Sequence, residues 1–136
     1  MKKKNSVCDF ASERSESLIR NYRESLARQS QISIKKAFED SVESPAPRFW
    51  VSEARAMRVI TMLMKGKEIL EGMHTEKQKM YLEIYRRVKE LKEKNPSVPL
   101  GDILFDVINN EAPRSYLSAT YAARIIKANI RTKGYR

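Results

Sequence analysis

Apolar residues recur at three- and four-residue intervals along nearly the whole chain, the period of a helix that buries one face. Phe10, Leu18, Ile19, Tyr22 and Leu26 predict a first helix over 10–29, among Glu, Arg and Ser. Ile34, Ala37, Phe38 and Val42 predict a shorter second helix, with Ser33 or Ser30 as its N-cap. Pro45 and Pro47 lack backbone donors and push the preceding residues out of helical geometry, so 44–50 is read as an extended link. Ser52 then caps a third helix whose apolar face is Ala56, Val59, Ile60 and Leu63 and whose stop is Gly66. After an unpatterned stretch carrying Gly72, Thr75-Glu76-Lys77-Gln78 reads as a capping box. The fourth helix it opens places Met80, Tyr81, Ile84, Tyr85, Val88 and Leu91 at 3,4 spacing up to Asn95-Pro96. Leu100, Ile103, Leu104, Val107 and Ile108 mark a fifth helix. Ser118 caps a sixth, with Tyr121, Ala122, Ile125, Ile126 and Asn129 along one side.

Two links of this chain are versions of one sequence. With an offset of 66, the pairs Ala46/Ala112, Pro47/Pro113, Arg48/Arg114, Ser52/Ser118, Ala56/Ala122, Arg58/Arg124 and Ile60/Ile126 are identical, and Trp50/Tyr116, Val51/Leu117 and Val59/Ile125 are near-equivalents. Tyr22 and Tyr85 match in the leading helices at a spacing three residues different. The pattern predicts an all-α protein of two tandem, similar trihelical units, about six helices packed as one compact body. The expected boundaries are a disordered basic N-terminus at 1–9, repeat 1 at 10–66, a linker at 67–74, repeat 2 at 75–133 and a tail at 134–136.

Composition narrows the partners. The 27 Lys and Arg outnumber the 17 Asp and Glu, giving a formal charge of +10, a field that draws in phosphate polymers. One cysteine, Cys8, forms no internal disulfide, and one histidine, His74, read as a surface loop residue, provides no zinc ligand set. The basic start has no apolar h-region behind it, and no apolar run is long enough to span a bilayer, so a cytoplasmic protein without a membrane partner is expected.

The cations are not evenly spread. No acidic residue occurs from Ala112 to Arg136, where Tyr116, Tyr121 and Tyr135 lie among the basic residues. At about 100° per residue, Thr120, Arg124, Lys127 and Arg131 share one stripe of the sixth helix, with Lys133 beyond, opposite its apolar side. Arg55, Arg58 and Lys65 share a sector of the third helix. Basic side chains interleaved with aromatics suit phosphate contacts and base or sugar packing. The candidate nucleic-acid-binding residues are therefore Arg48, Arg55, Arg58, Lys65, Arg114, Thr120, Tyr121, Arg124, Lys127, Arg131 and Lys133. Arg48 and Arg114 carry an equal structural reading, because arginine also stacks on aromatics and caps carbonyls. Pro47, Trp50, Ser52, Ala56, Ile60 and their counterparts read as architecture, and Met57, Met62, Met64, Met73 and Met80 as core filling, with Met62, in the basic sector, also open as part of a contact surface.

No Gly-rich phosphate loop, nucleophile elbow or HExxH occurs in the sequence, so neither an enzyme nor a cofactor is expected. The fourth helix mixes signs in i,i+4 pairs such as Glu83/Arg87 and Glu90/Lys94, a self-paired solvated face.

The repeated string Ala-Pro-Arg, then Phe49 or Ser115, Trp50 or Tyr116, Val51 or Leu117, and Ser, resembles a motif of small, basic, uncharacterised proteins of bacteria and their phages or mobile elements. Residues 115–126 are weakly similar to the helix-turn-helix of phage small terminase subunits, which implies DNA binding. Here the links preceding Ser52 and Ser118 are longer than the three or four residues usual in that motif. The expected function is non-enzymatic DNA binding through the helices that follow the two motifs. The alternative is a helical adaptor or virion component whose basic face meets an acidic protein partner. Homo-oligomers into rings or on a pseudo-palindromic site fit the duplication.

Overall fold

The computed structural model describes residues 10–133, with side chains up to residue 131. The expected N-terminus at 1–9, the tail at 134–136 and the side chain of Lys133 lie outside the described residues. Among the described residues six helices are formed: α1 Ala11–Arg28, α2 Ile34–Glu43, α3 Glu53–Met64, α4 Thr75–Lys94, α5 Leu100–Ile108 and α6 Ala119–Lys133. The fold is all-α.

Local chemistry sets the helix ends. The hydroxyls of Ser33, Ser52 and Ser118 accept from the backbone N–H of Lys36, Arg55 and Tyr121 at 3.2, 3.1 and 3.1 Å, each satisfying a donor that the first turn leaves open. At the end of α3 the N–H groups of Gly66 and Lys67 donate to the carbonyls of Leu63 and Met62 at 3.0 and 3.1 Å, with Gly66 at φ +80°. That is a Schellman stop, and a Cβ at Gly66 would be strained. The start of α4 departs from the capping box expected of Thr75 and Gln78. His74 is the cap, its Nδ1 accepting from the Glu76 N–H at 3.2 Å, while the Gln78 side-chain amide donates to the Met73 carbonyl at 2.8 Å. Imidazole can substitute for a hydroxyl here because its unprotonated nitrogen is an acceptor.

Two compact units emerge, but they are not the consecutive stretches 10–66 and 75–133. One consists of 1–46 with 113–136, and the other of 47–112. The first therefore holds α1, α2 and α6, and the second α3, α4 and α5, with every helix packed on the other two of its unit. Each third helix is supplied by the opposite half of the chain. Nine residues, 44–52, separate α2 from α3, and extended backbone advances about 3.3 Å per residue. With two prolines preventing a tight turn, the link takes the chain into the other unit. The helix after each motif is thus not the partner of the helix before it, as a sequential helix-turn-helix requires; in the first unit α2 meets α6 instead.

The duplication keeps one offset of 66 throughout. α1 and α4 end at 28 and 94, α2 and α5 begin at 34 and 100, and α3 and α6 begin at 53 and 119. This pairs Ile19, not Tyr22, with Tyr85, and Leu18 with Ile84; the last two are fully buried. The Asn21 amide donates to the Pro45 carbonyl at 3.4 Å, and 66 positions on, an Arg87 Nη donates to the Glu111 carbonyl at 3.0 Å. Both tie the first helix of a unit to the chain entering the motif.

In the first unit Leu18, Ile19, Val42, Ala122 and Ile126 form the core, flanked by Tyr22, Phe38, Leu117, Ile125 and Ile130. In the second, Phe49, Val59, Ile60, Tyr81, Ile84, Val88, Leu104 and Ile108 are buried to 2% exposure or less. Of the described methionines, Met80 is buried, Met57, Met62 and Met73 are half-buried, and Met64 is 42% exposed, outside the core expected for it.

Candidate nucleic-acid interface

The proline-arginine corners draw their own arginines inward. Arg48 donates from Nε to the Phe49 carbonyl at 3.1 Å and from Nη2 to the Val51 carbonyl at 3.0 Å. Arg114 lies 5.6 Å from the Tyr116 ring centroid and 3.4 Å from the Glu43 carboxylate. Arg48 thus caps carbonyls of its own turn and Arg114 lies against an aromatic and a carboxylate, the kinds of contact that the structural alternative describes. Tyr116 has φ +57°, a left-handed conformation for a non-glycine residue, and its ring is 8% exposed. Burial of the aromatic offsets a backbone cost of about 1–2 kcal/mol.

The helical cations behave differently. Thr120, Tyr121, Arg124, Lys127 and Arg131 are all exposed along α6, opposite buried Ala122 and Ile126. Among the described residues no carboxylate comes within ion-pair distance of Arg124, Lys127 or Arg131. By contrast α4 pairs part of its charge within the helix: Glu83 accepts from Arg86 at 2.7 Å and from Arg87 at 2.8 Å. The Arg86 hydrogen bond, with help from Arg87, holds the Glu83 carboxyl below its ordinary pKa despite partial burial.

A groove runs down each flank of α6. Toward α2, a volume of about 480 Å³ is bounded by Lys35, Phe38, Thr120, Ala123, Arg124 and Lys127, with Glu39 as the one carboxylate of its lining. Its floor is aromatic: Phe38 stacks on Tyr22 with centroids 4.9 Å apart, and the Lys127 ammonium lies 5.6 Å from the Phe38 centroid. Toward α1, a second groove of about 480 Å³ is bounded by Ser12, Arg14, Tyr121, Arg124, Ala128 and Asn129, and among the described residues no carboxylate lines it. Arg124 borders both.

Arg55 and Arg58 are exposed on α3 and Lys65 at its C-cap, in the other unit. The candidates are therefore divided between the units. Each ridge shows three exposed cations among the described residues, but at unequal places, since α3 has Arg55 where α6 has Tyr121. Where α6 shows Lys127 and Ala128, α3 has half-buried Thr61 and Met62. Where α1 holds Arg14, α4 holds buried Met80, and where α2 holds Lys35, α5 has Gly101, against which the Met57 methyl packs at 3.5 Å from a would-be Cβ. The three cations Arg14, Lys35 and Lys127 of the first unit thus match Met80, Gly101 and Thr61 in the second, none of them charged. Charge follows: the sequence of the first unit has 15 Lys and Arg against 7 Asp and Glu, or +8, and that of the second 12 against 10, or +2.

Arg14, Lys35 and Phe38 are lining residues that the sequence did not single out as a site. Arg14 and Lys35 lie on helices of mixed charge, and only the return of α6 to the first unit brings them beside its ridge. Among the described residues no group of His, Cys, Asp and Glu is arranged to hold a metal ion, and no helix is long and apolar enough to cross a membrane.

Compared with protein-family models, with curated proteins and with solved structures, the chain has no match in any of the three.

Proposed function

We propose that this is a non-enzymatic DNA-binding protein whose principal contact surface is the exposed ridge of α6. The observation that carries the reading is the row Arg124, Lys127 and Arg131, exposed and without a carboxylate partner among the described residues. Solvated helix faces usually mix signs, as α4 does. A helix presenting cations beside small Thr120 and Ala128 has the dimensions and chemistry of one that enters a major groove, with its long side chains on phosphates and base edges. The excess of +8 on the unit that carries it supplies the field for encounter. The resemblance of residues 115–126 to a terminase DNA-binding segment agrees with this use of the helix, though not with a sequential helix-turn-helix.

A second reading, a protein partner, is favoured by Ile32 and Ile34, apolar side chains that are 62% and 48% exposed. Binding of the protein to a random duplex over a salt series separates the two. Phosphate contact predicts that log affinity falls linearly with log salt, with a slope of about −3 or steeper for the cations of the ridge. Absence of duplex binding at low salt removes the DNA reading.

A further inference from the structure

The geometry points to a two-sided phosphate clamp, in which Arg14 on α1 and Lys35 on α2 grip the two strands of a duplex whose major groove α6 enters. This rests on the DNA reading above and adds to it two residues, a division of labour and a choice of ligand. The ridge of α6 is bordered by one groove on the α1 side and another on the α2 side, and each contains a cation from the neighbouring helix. A helix in a major groove has a sugar-phosphate backbone on either flank, about 12 Å apart across the groove. Cations on both flanks match that arrangement, whereas a single strand requires one track.

Arg14 is prepared for an anion. Its guanidinium carbon lies 5.9 Å from the Phe10 ring centroid and 5.7 Å from that of Tyr121, so two aromatic contacts fix its place. Its guanidinium has no ion pair among the described residues. A phosphate oxygen is an acceptor of the right charge for the fork of an arginine. The matching position in the second unit is Met80, buried at 4%. The fold therefore accepts an apolar side chain there, and neither packing nor the duplication requires a guanidinium. Lys35, exposed and without an ion pair among the described residues, stands where the second unit has Gly101. On this arrangement Arg14 and Lys35 position the duplex. Thr120, Arg124 and Ala128, at the crest, meet base edges, with Arg124 suited to the O6 and N7 of a guanine.

The test compares wild type with Arg14→Met, Arg14→Gln, Lys35→Ala and Arg124→Ala, each checked for an unchanged helical spectrum and melting point. Binding is measured to a random 20-base-pair duplex and to one of its strands across a salt series. Each clamp variant that keeps the fold is expected to lose about 3–10-fold in duplex affinity and to flatten the salt slope by about one, the share of one phosphate. These losses should be alike on duplexes of different sequence and smaller on the single strand. If the Lys35 and folded Arg14 variants retain the wild-type slope while Arg124→Ala weakens binding, the clamp is wrong and the DNA reading stands. Equal losses on the single strand overturn the two-strand arrangement. A wild-type protein that binds no duplex overturns both readings together.

Discussion

The backbone N–H of Ser115 donates to the carbonyl of Val42 at 2.9 Å, joining the second motif to a helix that ended 72 positions earlier. Its counterpart, 66 positions away in each partner, is the Phe49 N–H on the Ile108 carbonyl at 3.0 Å. Each motif thus bonds to the second helix of the unit it enters, not to the helix it has just left. These two bonds are where the exchange of third helices is fixed.

The exchange predicts which fragments fold. A polypeptide of residues 47–112 contains α3, α4 and α5, a whole unit, and should melt cooperatively with helical circular dichroism. The tandem fragment 75–133 keeps α4 and α5 without α3 and should show no cooperative transition. Cooperative melting of 75–133 alone would restore consecutive units.

Ile126 is 1% exposed and packs with Leu18, Ile19, Val42 and Ala122. Ile126→Ala is expected to destabilise the first unit by about 2–5 kcal/mol through lost transfer energy and a residual cavity. Ile60, fully buried at the matching place, should cost a similar amount in the second unit. Denaturant unfolding followed separately in each unit checks both; a loss under about 1 kcal/mol would contradict the assigned cores.

Ser52 and Ser118 make the same bond in the two copies. Replacing either by Ala should cost about 1 kcal/mol, and by Gly only a few tenths. Thermal melts of the four variants check the ordering, and Ala equal to Gly would mean that the hydroxyls do not cap.

Two carboxyls carry a pH signature. The Ser25 hydroxyl donates to Asp40 at 2.7 Å and, with Lys36 and Arg28 nearby, holds its carboxyl below the usual range; Arg86 and Arg87 do so for Glu83. For acids whose folded pKa is lowered, the ionised form is favoured by folding. Their contribution is complete above the unfolded carboxylate value of about 4 and is lost as pH falls through the folded value. Stability should therefore fall below about pH 5, and Asp40→Asn with Glu83→Gln should flatten that decline in acid denaturation curves; a parallel, unflattened decline would assign it to other groups.

Helix positions were legible in the sequence because caps and periodicity are local. Ser33, Ser52, Ser118 and Gly66 act where their chemistry suggested, and His74 escaped notice because an imidazole cap lacks the hydroxyl or carboxylate signature. Pairing was not legible. Periodicity marks the buried face of α6 but not which helices cover it, so the sequence could not tell that α1 and α2 do. The same ignorance hid Arg14 and Lys35, whose relevance depends on that placement. The stripe of Thr120, Arg124, Lys127 and Arg131 needed only α6 itself.

The unequal ridges allow the most direct test of DNA binding through α6. Duplex affinity should be compared for Arg124→Glu with Lys127→Glu and for Arg55→Glu with Arg58→Glu, two double reversals of equal charge change on the two third helices. The α6 pair is expected to reduce binding at least about 100-fold at low salt, since four charges change at the contact, and the α3 pair less than about 10-fold through the general field. An α3 effect equal to or larger than that of α6, or no effect of the α6 pair, would contradict the account.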